Sequence, residues 1–295
     1  MKAPSENLNP HKLNSKKAMP ELPEVETIAR CLDKNLAGKT ILDTFVFNPD
    51  ILHCEENFFA SRLAMKKIAQ VRRRGKLLIF DLEPNMHLVF HLKMTGKVMY
   101  SETGDNCCDA AHLGFMLDDG SSVSFLDQRK FGYCTLLSTE GLQQWDFYST
   151  LGPEPLDITE REFLNLFNQR KARIKALLLD QKTIAGIGNI YADESLFGAG
   201  IMPDEPANQI GEKRLKKLYA ALIDVLKRAL AAGGSTFRDY MDASGNPGRF
   251  QNQFSVYGRK GQPCLCCSET LRTKKVSGRT STYCPQCQKP SRGGS

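Results

Sequence analysis

Two groups of residues carry reactive chemistry. The first is Pro20–Glu21, in the run Met19-Pro-Glu-Leu-Pro-Glu-Val-Glu-Thr-Ile-Ala-Arg30, which reads like a protein start although eighteen residues precede Met19. Loss of Met19 would leave Pro20 as a free secondary amine beside a carboxylate, a nucleophile with an acid next to it. An α-amino group has a reference pKa of about 7.7–8 against about 10.4 for lysine, so it is the more available amine near neutrality. Joined to Met19, the same nitrogen is an amide with its lone pair delocalised. The second group is Cys264-x-x-Cys267 and Cys284-x-x-Cys287, with sixteen residues between the pairs. Each pair can chelate through a tight knuckle, and four thiolates close a tetrahedral structural zinc site with no open position. Cys266 interrupts the first knuckle, but Cys266 and Cys267 are adjacent and lack chelating spacing, which favours Cys264 and Cys267.

Elements must hold these groups in place. Pro23 suits a first helical position, and Glu24 and Glu26 suit the positive end of a helix. Val25, Ile28, Leu32 and Leu36 form an apolar stripe that Gly38 can end. Pro20 and Glu21 therefore sit just ahead of a helix. Short apolar runs at 40–47, 77–82, 87–92, 114–117, 122–126 and 132–137 have strand character, and Asp119-Gly120 marks a hairpin. Together they predict a β-sandwich with the first helix at one side, over residues 20–150. Leu151-Gly-Pro-Glu-Pro-Leu156 breaks both periodicities and serves as a linker, 151–157. Beyond it, Thr159-x-x-Glu162 is a capping box and Ile158 with Phe163 a hydrophobic staple. Helices are expected at 172–181, 190–198 and 212–232, the last stopped by Gly233-Gly234. The fold class is thus α+β: a sandwich, a helical domain over 158–254 and a cysteine module over 255–289. Residues 1–18 are polar and read as a disordered extension.

A further constellation is Gly186-Ile-Gly-Asn189-Ile-Tyr-Ala-Asp-Glu194. Two glycines ahead of a helix let the backbone approach a phosphate, whose charge the helix N-terminus favours. Charge points the same way. Of the net +7, all lies in residues 255–295, with eight Lys/Arg against one Glu, while 1–254 balance at 32 against 32. A basic module on a neutral body suggests an anionic polymer as partner, and Arg272, Lys274, Lys275 and Arg279 lie between the knuckles, where they can reach phosphates. No apolar run is long enough to span a membrane. Residues 1–18 match neither a secretory signal nor a transit peptide, and the cysteine usage is that of metal or free thiols in a cytoplasmic protein.

The Pro20–Glu21 block, the glycine pair following Ile174-Lys175-Ala-Leu-Leu-Leu-Asp-Gln181 and the cysteine module together resemble the formamidopyrimidine-DNA glycosylase family. The resemblance runs from Met19 to about Lys289. It implies a helix–two-turn–helix DNA-binding domain ending in a zinc finger, one structural Zn²⁺ and duplex DNA containing oxidised purines as partner. It also implies a monomer. By resemblance Pro20 attacks the damaged nucleotide, Glu21 is the general acid/base, Glu24 orients the amine and Lys76 contacts the phosphate beside the lesion. Met94, Arg129 and Phe131 form a wedge that fills the gap left by an everted base, with Arg129 addressing the orphaned cytosine. Lys175, Asn189 and Arg279 belong to the DNA-binding set. Ser235, Thr236, Phe237, Arg238, Asp239 and Tyr240 form a mobile lesion-capping loop, a mark of the purine-directed branch. Residues alone favour blander roles for some: a solvated turn for Arg72–Arg74 and core packing for Met94 and Phe131.

The activity so implied is base excision followed by β,δ-elimination, which requires a free Pro20 nitrogen. Translation starting at Met19 supplies one, and we favour it; cleavage after Met19 would also. Otherwise the chain would be a non-catalytic protein that binds DNA lesions or gaps and is silenced by its extension. A zinc-ribbon protein binding RNA would explain the tail but not the Pro20–Glu21 block.

Overall fold

In a computed structural model, the structure describes residues 19–54, 56–104, 110–236 and 240–290. The extension 1–18, Cys107-Cys108 and loop residues Phe237, Arg238 and Asp239 lie outside them. The chain opens with helix α1 (Leu22–Leu36). There follow strand β1 (Ile41–Val46), helix α2 (Glu56–Leu63), and strands β2 (Lys67–Arg74), β3 (Leu77–Glu83), β4 (Met86–His91), β5 (Gly96–Ser101), β6 (Leu113–Leu117), β7 (Ser122–Asp127) and β8 (Tyr133–Ser138). They form two four-stranded antiparallel sheets, ordered β1-β6-β7-β5 and β2-β3-β4-β8. The Asp119-Gly120 hairpin joins β6 to β7, with Gly120 at φ +82°.

Two strands escape the apolar pattern. In β2, Ile68 and Val71 are both buried although three residues apart, because a register shift between Ile68 and Gln70 moves one residue out of step. A bulge of this kind breaks the period-two signal. Its basic end, Arg72–Arg74, is paired strand opposite Leu77–Ile79 and not a solvated turn. Arg73 is clamped between Glu26 at 2.9 Å and Glu154 at 2.6 Å, and Arg74 between Glu154 and the carbonyls of Leu151 and Gly152. In β5, the sparse apolar residues give little alternation to read.

Two short helices, α3 (Thr139–Gln144) and α4 (Asp146–Ser149), pack on the sheet through Leu142, Trp145 and Phe147, and the helical half holds α5 (Glu160–Phe167), α6 (Ile174–Leu179), α7 (Asn189–Ala199) and α8 (Glu212–Ala231). The Thr159–Glu162 capping box forms as expected, and Phe163 is buried beneath it with Ile158 packed alongside. Strands β9 (Arg272–Val276) and β10 (Arg279–Tyr283) make a hairpin between the cysteine knuckles. The first helix serves both halves. Val25, Ile28, Leu32 and Leu36 enter the sandwich core, while Leu22 enters the helical core with Ile187 and Tyr191. The N-terminal tip of α1 is thereby fixed between them. No helix among the described residues is long and apolar enough to cross a membrane.

Candidate active site

Glu21 caps α1 in extended conformation, and its N–H donates to Glu24 Oε2 at 3.0 Å. Its carboxylate accepts the N–H groups of Gly188 at 2.8 Å, Ile190 at 2.9 Å and Tyr191 at 3.3 Å. The N-terminus of α7 is therefore filled by a carboxylate of the same chain. This corrects the reading of the glycine pair as a phosphate cradle. A Cβ on Gly188 would lie 2.3 Å from Glu21 Cδ, and one on Gly186 would lie 2.8 Å from Leu22 Cβ. The close approach that glycine permits is made to the α1 tip, where the helix end favours the anion.

Burial pushes the Glu21 carboxyl up to about 7, against the pull of Lys76 and with the Glu24 charge adding to the rise. Lys76, buried at the start of the β3 segment, is moved the other way by burial, with Glu21 opposing and Arg279 assisting. Such mutual displacement of an acid and a base is what proton transfer near neutrality requires. Glu24 is the neighbouring hub. Its Oε1 accepts Tyr191 Oη at 2.6 Å, Ser235 N at 2.7 Å and Ser235 Oγ at 2.9 Å, and burial raises its pKa. Glu24 thus ties α1 and α7 to the root of the 235–240 segment. Thr236 Oγ1 donates to the Tyr240 carbonyl at 3.1 Å, closing the ends of that segment on each other.

A cavity of about 400 Å³ opens beside these groups, lined by Glu21, Lys76, His91, Asn189, Tyr257 and Arg279 among others. A smaller one, about 20 Å³, lies between Pro20, Glu24, Met94, Ser235 and Tyr240. Met19 lines both, so the residue that blocks the Pro20 nitrogen sits where the two spaces meet. The sequence puts His91 near the site only through its proximity to Met94, and gives no sign of Tyr257. His91 is buried against Tyr133 and Phe147, and burial with Lys93 and Lys76 holds its pKa at about 3. Its Nδ1 accepts the Lys93 N–H at 3.1 Å, so the neutral ring carries its proton on Nε2. The local pattern around His91 does not disclose its cavity neighbours, because Lys76, Asn189 and Arg279 come from distant segments.

The residues expected to form a wedge lie together at the sheet ends. Arg129 Nη1 lies 3.2 Å from Met94 Sδ, and the guanidinium stacks 4.5 Å from the Phe131 ring centroid. Phe131 is 54% exposed, which rules out its core reading, and Met94 is half-buried. Lys175 differs from expectation. It is fully buried, its ammonium donating to Asp193 and Ser281 at 2.6 Å each, so it pins β10 to α7 and has no face left for a phosphate. Lys274 is likewise engaged with Asp204, while Arg279 stays exposed at the cavity edge. Asn189 donates to the Thr280 carbonyl at 3.1 Å, tying α7 to the same hairpin.

The Sγ atoms of Cys264, Cys267, Cys284 and Cys287 all lie within 4.8 Å of one another, with close pairs at 3.4 to 3.8 Å. Thiolates around a tetrahedral zinc are about 3.8 Å apart, given a bond of about 2.3 Å. The set fits one metal ion. Cys266 is exposed and contributes its backbone N–H to Cys264 Sγ.

Known proteins resemble this chain over most of its length. Residues 19–134 match the model of the formamidopyrimidine-DNA glycosylase N-terminal domain, and 151–241 that of the formamidopyrimidine-DNA glycosylase H2TH domain. The formamidopyrimidine-DNA glycosylase of Desulfitobacterium hafniense is 42% identical over 273 residues, covering 92% of this chain and all of that protein. That of Enterococcus faecalis is also 42% identical, over 92% of this chain and 97% of its own length. The fold superposes on Lactococcus lactis Fpg bound to abasic-site DNA with a TM-score of 0.84 at 34% identity, covering 91% of this chain and 99% of that one. The same enzyme bound to DNA containing an oxidised pyrimidine gives 0.84 at 34% identity, over 92% and 100%. With both domain models matched in order and relatives aligned over nearly their whole length, the chain belongs to the formamidopyrimidine-DNA glycosylase family.

Proposed function

We propose that this chain removes oxidised purines, 8-oxoguanine and formamidopyrimidines, from duplex DNA and then cleaves the strand, with the Pro20 nitrogen as nucleophile. It is a base-excision repair glycosylase of its family, and the non-catalytic alternative is not favoured. The observation that carries the mechanism is Glu21: a buried carboxyl with pKa about 7, held on the α7 N-terminus beside Lys76 and one residue from Pro20.

Once Met19 is gone, the Pro20 lone pair attacks the sugar C1′. The C1′–base bond breaks, its electrons leaving with the base. Glu21 protonates the ring oxygen as the sugar opens, leaving an iminium between Pro20 and C1′. That electron sink acidifies the adjacent carbon, and loss of its proton expels the 3′ phosphate, then a second elimination expels the 5′ phosphate. A one-nucleotide gap remains. Lys76, Arg279, Asn189, His91 and Tyr257 surround the larger cavity with donors suited to the flanking phosphates. The domains of this reading are 20–150, 158–254 and 255–289, joined by the linker 151–157.

Zn²⁺ is the metal we assign to Cys264, Cys267, Cys284 and Cys287, where it would supply structural closure and no chemistry. Those thiolates hold the hairpin from which Arg279 reaches the cavity. The chain acts as a monomer on DNA in the bacterial cytoplasm.

The test is incision. A chain beginning at Pro20 should convert an 8-oxoguanine duplex to a gap with phosphate at both ends and leave undamaged duplex intact. Tight binding of the damaged duplex without base release would replace this reading with the non-catalytic one.

A further inference from the structure

Phe131 presents a problem of position. Its ring is 54% exposed, so no core packing fixes where it points, and Arg129 beside it is half-buried. Among the described residues their side-chain polar and ring contacts stay within the wedge, Arg129 stacking on Phe131 and reaching Met94 Sδ, so the backbone must place the group as a whole. That backbone converges on one side chain. Asp127, at the end of β7 and 1% exposed, accepts the N–H of Arg129 at 3.1 Å through Oδ1, and those of Phe131 at 2.8 Å and Gly132 at 2.6 Å through Oδ2. The same Oδ1 accepts the hydroxyl of Thr95, the residue after Met94, and Thr95 Oγ1 in turn accepts the Arg129 N–H at 3.3 Å. The turn is tightly made: Lys130 sits at φ +54°, and a Cβ on Gly132 would lie 2.9 Å from Phe125 and 3.0 Å from Asp127 Oδ2.

We infer that Asp127 is a positioning residue for base eversion: its carboxylate locks the Arg129–Phe131 turn and, through Thr95, the Met94 segment into one preformed wedge. The inference rests on the function proposed above. Hydrogen bonds to an ionised acceptor are the stronger kind, and several of them on one carboxylate fix a turn that otherwise would need ordering as it enters the base stack. Ordering paid at insertion subtracts directly from the drive to evert the base. Asp127 lines neither of the two cavities and touches no reacting atom. Its effect therefore falls on getting the base out, and far less on the chemistry at a sugar that has no base.

The experiment compares two substrates, an 8-oxoguanine duplex and the same duplex carrying a preformed abasic site, using the wild-type chain begun at Pro20 and the variants Asp127→Asn, Thr95→Val and Thr95→Ser. A 2-aminopurine beside the lesion reports unstacking by its fluorescence. Asp127→Asn should lower lesion excision at least tenfold more than abasic-strand cleavage and abolish most of the 2-aminopurine brightening. Thr95→Val should share the selective loss in weaker form, and Thr95→Ser, which keeps the hydroxyl, should restore it. If Asp127→Asn does not fold, the Thr95 pair decides. Equal losses on both substrates, or no loss, overturn the positioning role while leaving the enzyme's function standing. A wild-type chain that processes neither substrate overturns the functional reading and this inference together.

Discussion

The Glu21 centre and the Met94–Arg129–Phe131 wedge solve opposite problems. Glu21, Glu24 and Lys76 are buried; Glu21 is held by backbone donors of the α7 N-terminus, more than 160 residues away, and Glu24 by the Tyr191 hydroxyl and by Ser235. The wedge side chains are exposed or half-exposed, fixed through their own local backbone. Burial shifts the titration of the first set, which is what chemistry needs. Exposure leaves the second set free to enter another molecule. Desolvation would be wasted on the wedge, and mobility would be ruinous at the centre.

This contrast can be broken at either end. The largest effect is expected at Gly188→Ala, whose new Cβ would meet Glu21 Cδ at 2.3 Å. Excision should fall by a factor on the order of 100, since displacement of about 1 Å at a reacting group costs that much. Overpacking should add a loss of about 1–3 kcal/mol in denaturant unfolding. Retained activity would mean that the α7 contact does not position Glu21. Next is Glu154→Gln, which removes the carboxylate clamping Arg73, Arg74 and the Gly75 N–H just ahead of Lys76. Breaking this largely buried network should destabilise the chain by about 3 kcal/mol. Its rate defect should appear in kcat more than in KM.

Acid stability reads the buried centre and not the wedge. His91 has a folded pKa of about 3 against an ordinary 6.5, so the unfolded chain binds the extra proton in that interval. Its contribution is complete above pH 6.5 and is lost as pH falls towards 3. Glu21, raised from 4.5 to about 7, acts oppositely: its contribution is complete below pH 4.5 and is lost as pH rises through 7. Unfolding of His91→Gln should therefore flatten between pH 6.5 and 3 by up to about 5 kcal/mol, and an unchanged slope would contradict the burial argument. The smallest effect is at the wedge. Arg129→Ala should relax discrimination among bases opposite the lesion about tenfold while changing overall affinity less. Equal losses for all four opposite bases would remove that role.

The two regions also differ in what the sequence discloses. The helices with caps and stripes, α1, α5 and α8, stand out because local spacing determines them. Strand β2 does not, since its bulge hides the alternation. At the glycine pair, the need for a close approach is legible at Gly186 and Gly188, but its partner is not. Phosphate and carboxylate ask the same of a backbone, and only the folded chain brings Glu21 there. Lys175 makes the same point, its spacing in the helix concealing Asp193 and Ser281 around it. Tyr257 joins the cavity through tertiary packing that no neighbouring residue announces, whereas His91 is hinted at by Met94 close by.

Peptide mapping of the covalent adduct formed with an 8-oxoguanine duplex under borohydride tests the central claim most directly. Reduction should leave the DNA attached at the Pro20 nitrogen in a chain lacking Met19, and a chain that keeps Met19 joined to Pro20 should give no adduct. Attachment at Lys76, or an adduct on the chain with Met19 still bonded to Pro20, would contradict it.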